Sequence, residues 1–123
     1  MLTRLFAALL LLMVAVPAAA QTASVESPGK VLTVTLTLNG EGRMQYRVDR
    51  LGKPVIADSQ LGFLLTDQPQ MLRNFEIRAQ RSSDHDDSWT TPWGEDRTIR
   101  NRYRELDVDL IEKTGLKRRV VLA

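Results

Sequence analysis

Cysteine is absent from this 123-residue chain. Its absence excludes a disulfide framework, a zinc–thiolate site and a thiol nucleophile, and with them lipid attachment at an N-terminal cysteine. Histidine occurs once, at His85, which leaves no multi-histidine metal site and little scope for histidine catalysis. An excess of one charge is lacking too, because 17 Lys plus Arg stand against 15 Asp plus Glu. A chain this near neutrality carries no electrostatic footprint for nucleic acid. There is no Gly-rich phosphate loop and no nucleophile elbow. What is present, 43% hydrophobic and 26% charged residues, is the composition of one ordinary globular domain.

The single long apolar run lies at the start, from Leu5 to Val16. Arg4 precedes it, Pro17 breaks it, and Ala18-Ala19-Ala20 supplies small residues at a cleavage position. This is the pattern of a secretory signal peptide over residues 1–20, cleaved before Gln21. The run is short for a membrane span, which takes about 20 apolar residues. The expectation is an exported chain, periplasmic or secreted, without membrane attachment after cleavage. Residues 21–123 then form the domain, and they stay nearly neutral because only Arg4 leaves the charge balance.

Strand signals follow. From Val31 to Leu38, Leu32, Val34, Leu36 and Leu38 alternate with threonines, which predicts a half-buried strand. Asn39-Gly40 is a hairpin signal. Met44, Tyr46 and Val48 then share a face in a second strand over 43–50, and Leu51-Gly52 turns into Pro54-Val55-Ile56, completing an antiparallel meander. Gln60 to Thr66 reads as a short strand with Gly62 marking a bulge or close backbone approach. Met71 to Ala79 is a weaker strand with Phe75, Ile77 and Ala79 in phase, and Arg81 to Asp87 reads as a loop. From Glu95 to Lys113 the periodicity fits either a strand or a helix capped by Gly115. Val120 begins one more β-like run.

The densest chemical constellation is Trp89-Thr90-Thr91-Pro92-Trp93-Gly94-Glu95, followed by Arg100, Asn101, Tyr103 and Glu105. Aromatic faces beside hydrogen-bonding groups suit a sugar, although tryptophans in a small β domain also serve as packing anchors. The acidic run Asp84, Asp86, Ser88 and Glu95 has the spacing of a calcium loop, but Trp89 replaces the glycine that the loop's sharp turn needs, so no metal site is expected. Arg97, Arg100, Arg102 and Arg104 interleave with carboxylates as a cross-strand ion-pair surface or a docking face. Glu95 and Glu105 are a carboxylate pair of the kind glycoside hydrolysis uses, provided a fold sets them face to face.

Trp93-Gly94-Glu95 and Arg100-Asn101-x-Tyr103-x-Glu105-Leu106 carry a resemblance. So do Ser27-Pro28-Gly29-Lys30, Gly52-Lys53-Pro54-Val55, Leu61-Gly62 and Arg81-Ser82-Ser83. In this order and spacing they resemble the N-terminal domain of glycoside hydrolase family 97, from about residue 24 to the end. The resemblance implies an all-β fold, an antiparallel β-sandwich, and makes the 95–113 segment extended. It implies exported α-glucosidases or α-galactosidases in which a (β/α)8 barrel holds the catalytic carboxylates and, in many members, calcium. The chain ends within what should still be the sandwich, so the domain is expected to be incomplete at its C-terminus. No catalytic residue, metal ligand or cofactor is carried over.

The expected role is a non-catalytic segment that supports the barrel and contributes to binding α-linked oligosaccharide. Trp93, Glu95, Arg100, Asn101, Tyr103 and Glu105 form its expected carbohydrate or barrel-docking surface. The rival readings are a free-standing carbohydrate-binding module and an interaction domain without ligand. The latter requires the tryptophan segment to be fully buried.

Overall fold

A computed structural model describes residues 21–95 and 97–123. The expected signal peptide, residues 1–20, lies outside the described residues. Seven strands follow one another: β1 (Gln21–Glu26), β2 (Leu32–Leu38), β3 (Met44–Arg50), β4 (Lys53–Leu61), β5 (Phe75–Thr90), β6 (Thr98–Glu112) and β7 (Arg119–Leu122). They form two antiparallel sheets, β1-β2-β3-β4 and β5-β6-β7. The sheets meet through a core of Ala23, Leu36, Leu38, Met44, Met71, Phe75, Val108 and Leu110. The fold is an all-β sandwich, as expected.

The meander forms where the alternation places it. Leu36 pairs with Tyr46 and Leu38 with Met44, so the apolar sets of β2 and β3 share the face that meets the second sheet. The turn after β2 is longer than the Asn39-Gly40 signal suggests. The Asn39 side-chain carbonyl accepts hydrogen bonds from the Glu41 and Arg43 amides at 3.0 and 2.9 Å. The left-handed conformation falls on Gly42, at φ 68°. Leu51-Gly52 joins β3 to β4 as a two-residue turn with both residues at positive φ, the primed type that suits hairpin twist. Pro54 sits in β4, an edge strand, where its missing N–H costs no ladder bond. The first strand among the described residues, β1, pairs with β2 from Thr33 to Leu38.

Three sequence expectations are corrected. The 60–66 segment is not a separate strand: β4 ends at Leu61, and Phe63 merely bridges to Met71. Gly62 does mark a close approach, since a Cβ there would lie 2.5 Å from the Leu72 side chain. The strand expected over 71–79 begins at Phe75, and a bulge at Arg78 breaks the phase of Ile77 and Ala79. Gln80 and Ser82, rather than Ala79, therefore pair with the inward-facing Val108 and Leu106. Arg81 to Asp87 is no loop but the middle of β5. Its partner β6 resolves the 95–113 ambiguity in favour of strand.

Glu112 is the one charged side chain buried among the described residues, at 7% exposure. Arg118 donates to its carboxylate from Nε at 2.8 Å and Nη2 at 2.7 Å, and through its backbone amide at 3.1 Å. The same guanidinium donates to the Pro69 carbonyl at 2.7 Å, fastening the β6–β7 turn to the 62–71 loop. These bonds hold the Glu112 carboxyl below its ordinary range, against the burial that opposes ionisation.

Two expectations follow for stability. Because the Glu112 pKa is depressed in the folded state, its contribution is present above the ordinary value of 4.5 and is lost as pH falls through the folded value. Glu112→Gln should lower the unfolding free energy by about 2 kcal/mol at neutral pH. The difference from the wild type should shrink when urea titrations are repeated in acid. At Gly42 an added Cβ would lie 2.5 Å from the Phe75 carbonyl oxygen, whereas at Gly52, also at positive φ, it would meet nothing. Gly52→Ala should cost about 1 kcal/mol and Gly42→Ala clearly more, as read by the same titrations.

Candidate functional site

β7 pairs with β6 only from Val108 to Ile111. β5 and β6 run on together far beyond that, to the Thr90–Thr98 pair. Their outer half is a two-stranded arm, and strand alternation divides its side chains between two faces. Partners in an antiparallel ladder point the same way, so the register assigns each face.

The first face continues the core face and is ionic. Asp84 pairs with Arg104, Asp86 with Arg102, and Ser88 with Arg100. Arg104 Nε lies 2.9 Å from Asp84. Arg100 grips Asp86 with two bonds, at 2.9 and 2.7 Å, on the diagonal. Arg102 comes no closer than 3.9 Å to the same carboxylate. The arginine stripe is thus the cross-strand ion-pair surface that its composition suggested, but its partners come from β5 rather than from the carboxylates beside it in sequence. The bidentate bond from Arg100 holds the Asp86 carboxyl below its ordinary range.

The second face is polar and aromatic. It carries Ser83 opposite Glu105, His85 opposite Tyr103, Asp87 opposite Asn101, and Trp89 opposite Ile99. The His85 and Tyr103 rings stack with centroids 4.5 Å apart and planes 14° from parallel. Ser83 Oγ lies 3.1 Å from His85 Nε2. At the arm's end the Thr91 amide donates to the Arg97 carbonyl at 3.0 Å. Trp93 stands in that turn at 80% exposure, and Gly94 supplies a φ of 104°.

The six residues singled out in the sequence therefore share the arm but not one surface. Asn101, Tyr103 and Glu105 line the aromatic face, Arg100 lies on the ionic face, and Trp93 and Glu95 occupy the terminal turn, both exposed. Glu95 and Glu105 do not face each other, since Thr98 to Glu105 alone spans about 24 Å of strand. Asp84, Asp86 and Ser88 of the acidic run share the ionic face, where arginines engage both carboxylates, while Glu95 lies beyond them in the terminal turn. Among the described residues no group of three His, Asp or Glu converges. Sequence reasoning missed Asp84 and Asp86 as partners of the arginines, and His85 as the ring under Tyr103. The available signal was their alternate spacing, which matches that of Arg100, Arg102 and Arg104.

With half of the Trp89 surface and most of the Trp93 surface exposed, the tryptophan segment is not the buried anchor that a ligand-free interaction domain required. Fold and arm together define an antiparallel two-sheet domain that displays an aromatic and charged hairpin. The model of the family described as glycosyl-hydrolase 97 N-terminal matches residues 25–122. The chain belongs to that family, as an N-terminal domain of glycoside hydrolase family 97. Among solved structures it is similar to a family 97 enzyme from Pseudoalteromonas sp. strain K8, in a complex with panose and in a complex with acarbose. Each match has a TM-score of 0.69 at 24% identity and covers 76% of this chain. The chain spans only 14% of the length of those enzymes, and at that identity the likeness is one of fold.

The arm has no second sheet behind it, so its order depends on the ladder and the ionic face. Asp86→Asn should speed amide exchange from Asp84 to Thr90 while leaving the global unfolding midpoint unchanged. Equal exchange in both proteins, followed by NMR, would show that the ion pairs do not order the arm.

Proposed function

We propose that this domain is the non-catalytic N-terminal part of an exported family 97 α-glycosidase, working in the periplasm or outside the cell. It supports the catalytic barrel and contributes to holding an α-linked oligosaccharide. The chemistry belongs to the barrel, and none of the residues described above acts as acid, base or nucleophile. The observation that carries this reading is the exposed end of the arm, on a domain of this family. A free indole has no role in the domain's own core, and its apolar face suits either a sugar ring or the surface of a neighbouring domain. Tyr103, braced from below by His85, and the amide and carboxylate of Asn101 and Glu105 add a hydrogen-bonding row on one side. The complexes of the Pseudoalteromonas enzyme with panose and acarbose make short α-linked oligosaccharides the ligands to try first.

Calorimetric titration of the full chain with panose tests the sugar contribution. Weak, millimolar binding is expected, and Trp93→Ala should abolish the heat. No heat from the wild type at about 10 mM panose would remove sugar contact from the role. In an intact enzyme carrying this domain, Trp93→Ala should lower activity or the melting temperature. Wild-type activity with unchanged melting would remove the supporting role.

A further inference from the structure

The chain contains three asparagines, and only Asn39 is followed by glycine. Asparagine is a chemically labile residue. The backbone nitrogen of the next residue can attack its side-chain carbonyl carbon, and glycine gives that nitrogen no steric cover. Phe75 follows Asn74 and Arg102 follows Asn101, each with a large side chain beside the same nitrogen. Gly40 is exposed, and a Cβ built on it meets nothing within 4 Å. In the fold, however, Asn39 is bound on both of its carbonyl oxygens. The amides of Glu41 and Arg43 donate to Oδ1 at 3.0 and 2.9 Å. The Gly42 amide donates to the Asn39 backbone carbonyl at 2.9 Å. Three consecutive amides therefore hold both oxygens of one residue. The same turn joins the two sheets, because the Glu41 carbonyl accepts from the Asn74 amide at 2.9 Å and the Gly42 carbonyl from the Phe75 amide at 3.0 Å. Leu38 and Met44, both buried, flank it.

We propose that Asn39 is a self-modification site that the native turn keeps closed and that unfolding opens. The only co-reactant is water. The Gly40 nitrogen gives up its proton and bonds to Asn39 Cγ. The bond from Cγ to the carboxamide nitrogen breaks, and ammonia leaves with the proton. The five-membered imide so formed places Cγ and the Asn39 backbone carbonyl carbon on either side of the Gly40 nitrogen. Water then opens it at Cγ, giving aspartate, or at the backbone carbonyl carbon, giving isoaspartate. In the imide the two carbonyl oxygens point away from each other across the ring. In the native turn both are held by the adjoining amides of residues 41–43, so the reactive geometry is reached only after those bonds open. The two products differ in what they rebuild. Aspartate keeps a carboxylate oxygen in place of Oδ1 and can accept the same two amides. Isoaspartate routes the chain through the side chain and adds one backbone carbon between Leu38 and Met44. That addition displaces the carbonyls to which Asn74 and Phe75 are bound. A molecule that opens long enough to react by this route is barred from returning to the same fold. Asn39 lies apart from the arm, and its chemistry does not depend on the sugar-binding reading.

The full chain is incubated at mildly alkaline pH, in buffer and in urea, and peptide mapping by mass spectrometry follows the aspartyl and isoaspartyl forms of residue 39. Conversion should be at least about tenfold slower in buffer, a factor that one or two such hydrogen bonds supply. Gly40→Ala should leave the unfolding midpoint close to that of the wild type, because its Cβ meets nothing and its φ is not left-handed. The same variant should slow conversion in urea several-fold, by covering the attacking nitrogen. After removal of urea, chains with aspartate at position 39 should regain amide-exchange protection at Asn74 and Phe75, and isoaspartyl chains should not. Asn39→Asp supplies the aspartyl form pure and should fold with that protection intact. Equal conversion with and without urea overturns the proposal. So do isoaspartyl chains that regain protection at Phe75, or conversion in urea that Gly40→Ala leaves unchanged.

Discussion

Backbone pairing between β5 and β6 is the constraint on which the molecule is organised. Its inner half brings Phe75, Val108 and Leu110 to the core and so closes the sandwich against β1, β2 and β3. Its outer half has no sheet behind it. A two-stranded ribbon is marginal by itself in water, and its exposed ion pairs, each worth less than about 1 kcal/mol, tune local opening without holding the ribbon together. The arm therefore borrows its order from the buried end of the same two strands. One continuous ladder holds both the part of the chain that must be packed and the part that must be displayed.

This division explains what could be read from the residues. β2 and β3 were legible because one face of each is buried and the alternation of Leu, Val and Met against Thr, Gln and Arg records it. β1 carries the same signal in Ala23 and Val25 but is short and polar elsewhere. The outer half of β5 was illegible for a physical reason: hydrophobic periodicity reports burial, and Ser83 to Ser88 bury neither face. Composition there reads as loop although the backbone is fully extended. The ambiguity over 95–113 came from Ile99, Tyr103, Leu106 and Leu110, whose helical spacing is an accident of their falling on different faces and at different depths of one strand.

The candidate site shows the same split. Its location, in the segment holding both tryptophans, was legible. Its geometry was not, because adjacent letters such as Arg100 and Asn101 go to opposite sides of a ribbon. The family assignment supplies the larger setting: a two-sheet domain from enzymes several times its length. In that setting the arm presents two chemically distinct faces, one ionic and one polar and aromatic, outside the core.

The bulge at Arg78 has a consequence of its own. Ile77 pairs with Leu110 and Ala79 with Asp109, so the extra residue alters no partner on either side of it. What a bulge does alter is strand direction, since it adds local bend and twist. It lies just inside the sandwich, opposite the Asp109–Leu110 step and ahead of the arm, so one residue bears on the direction of everything beyond it. A chain lacking that residue would keep the same pairs, the same core and the same two faces, yet point them elsewhere. Insertion or loss of a single codon is thus a way to re-aim this arm without redesigning it.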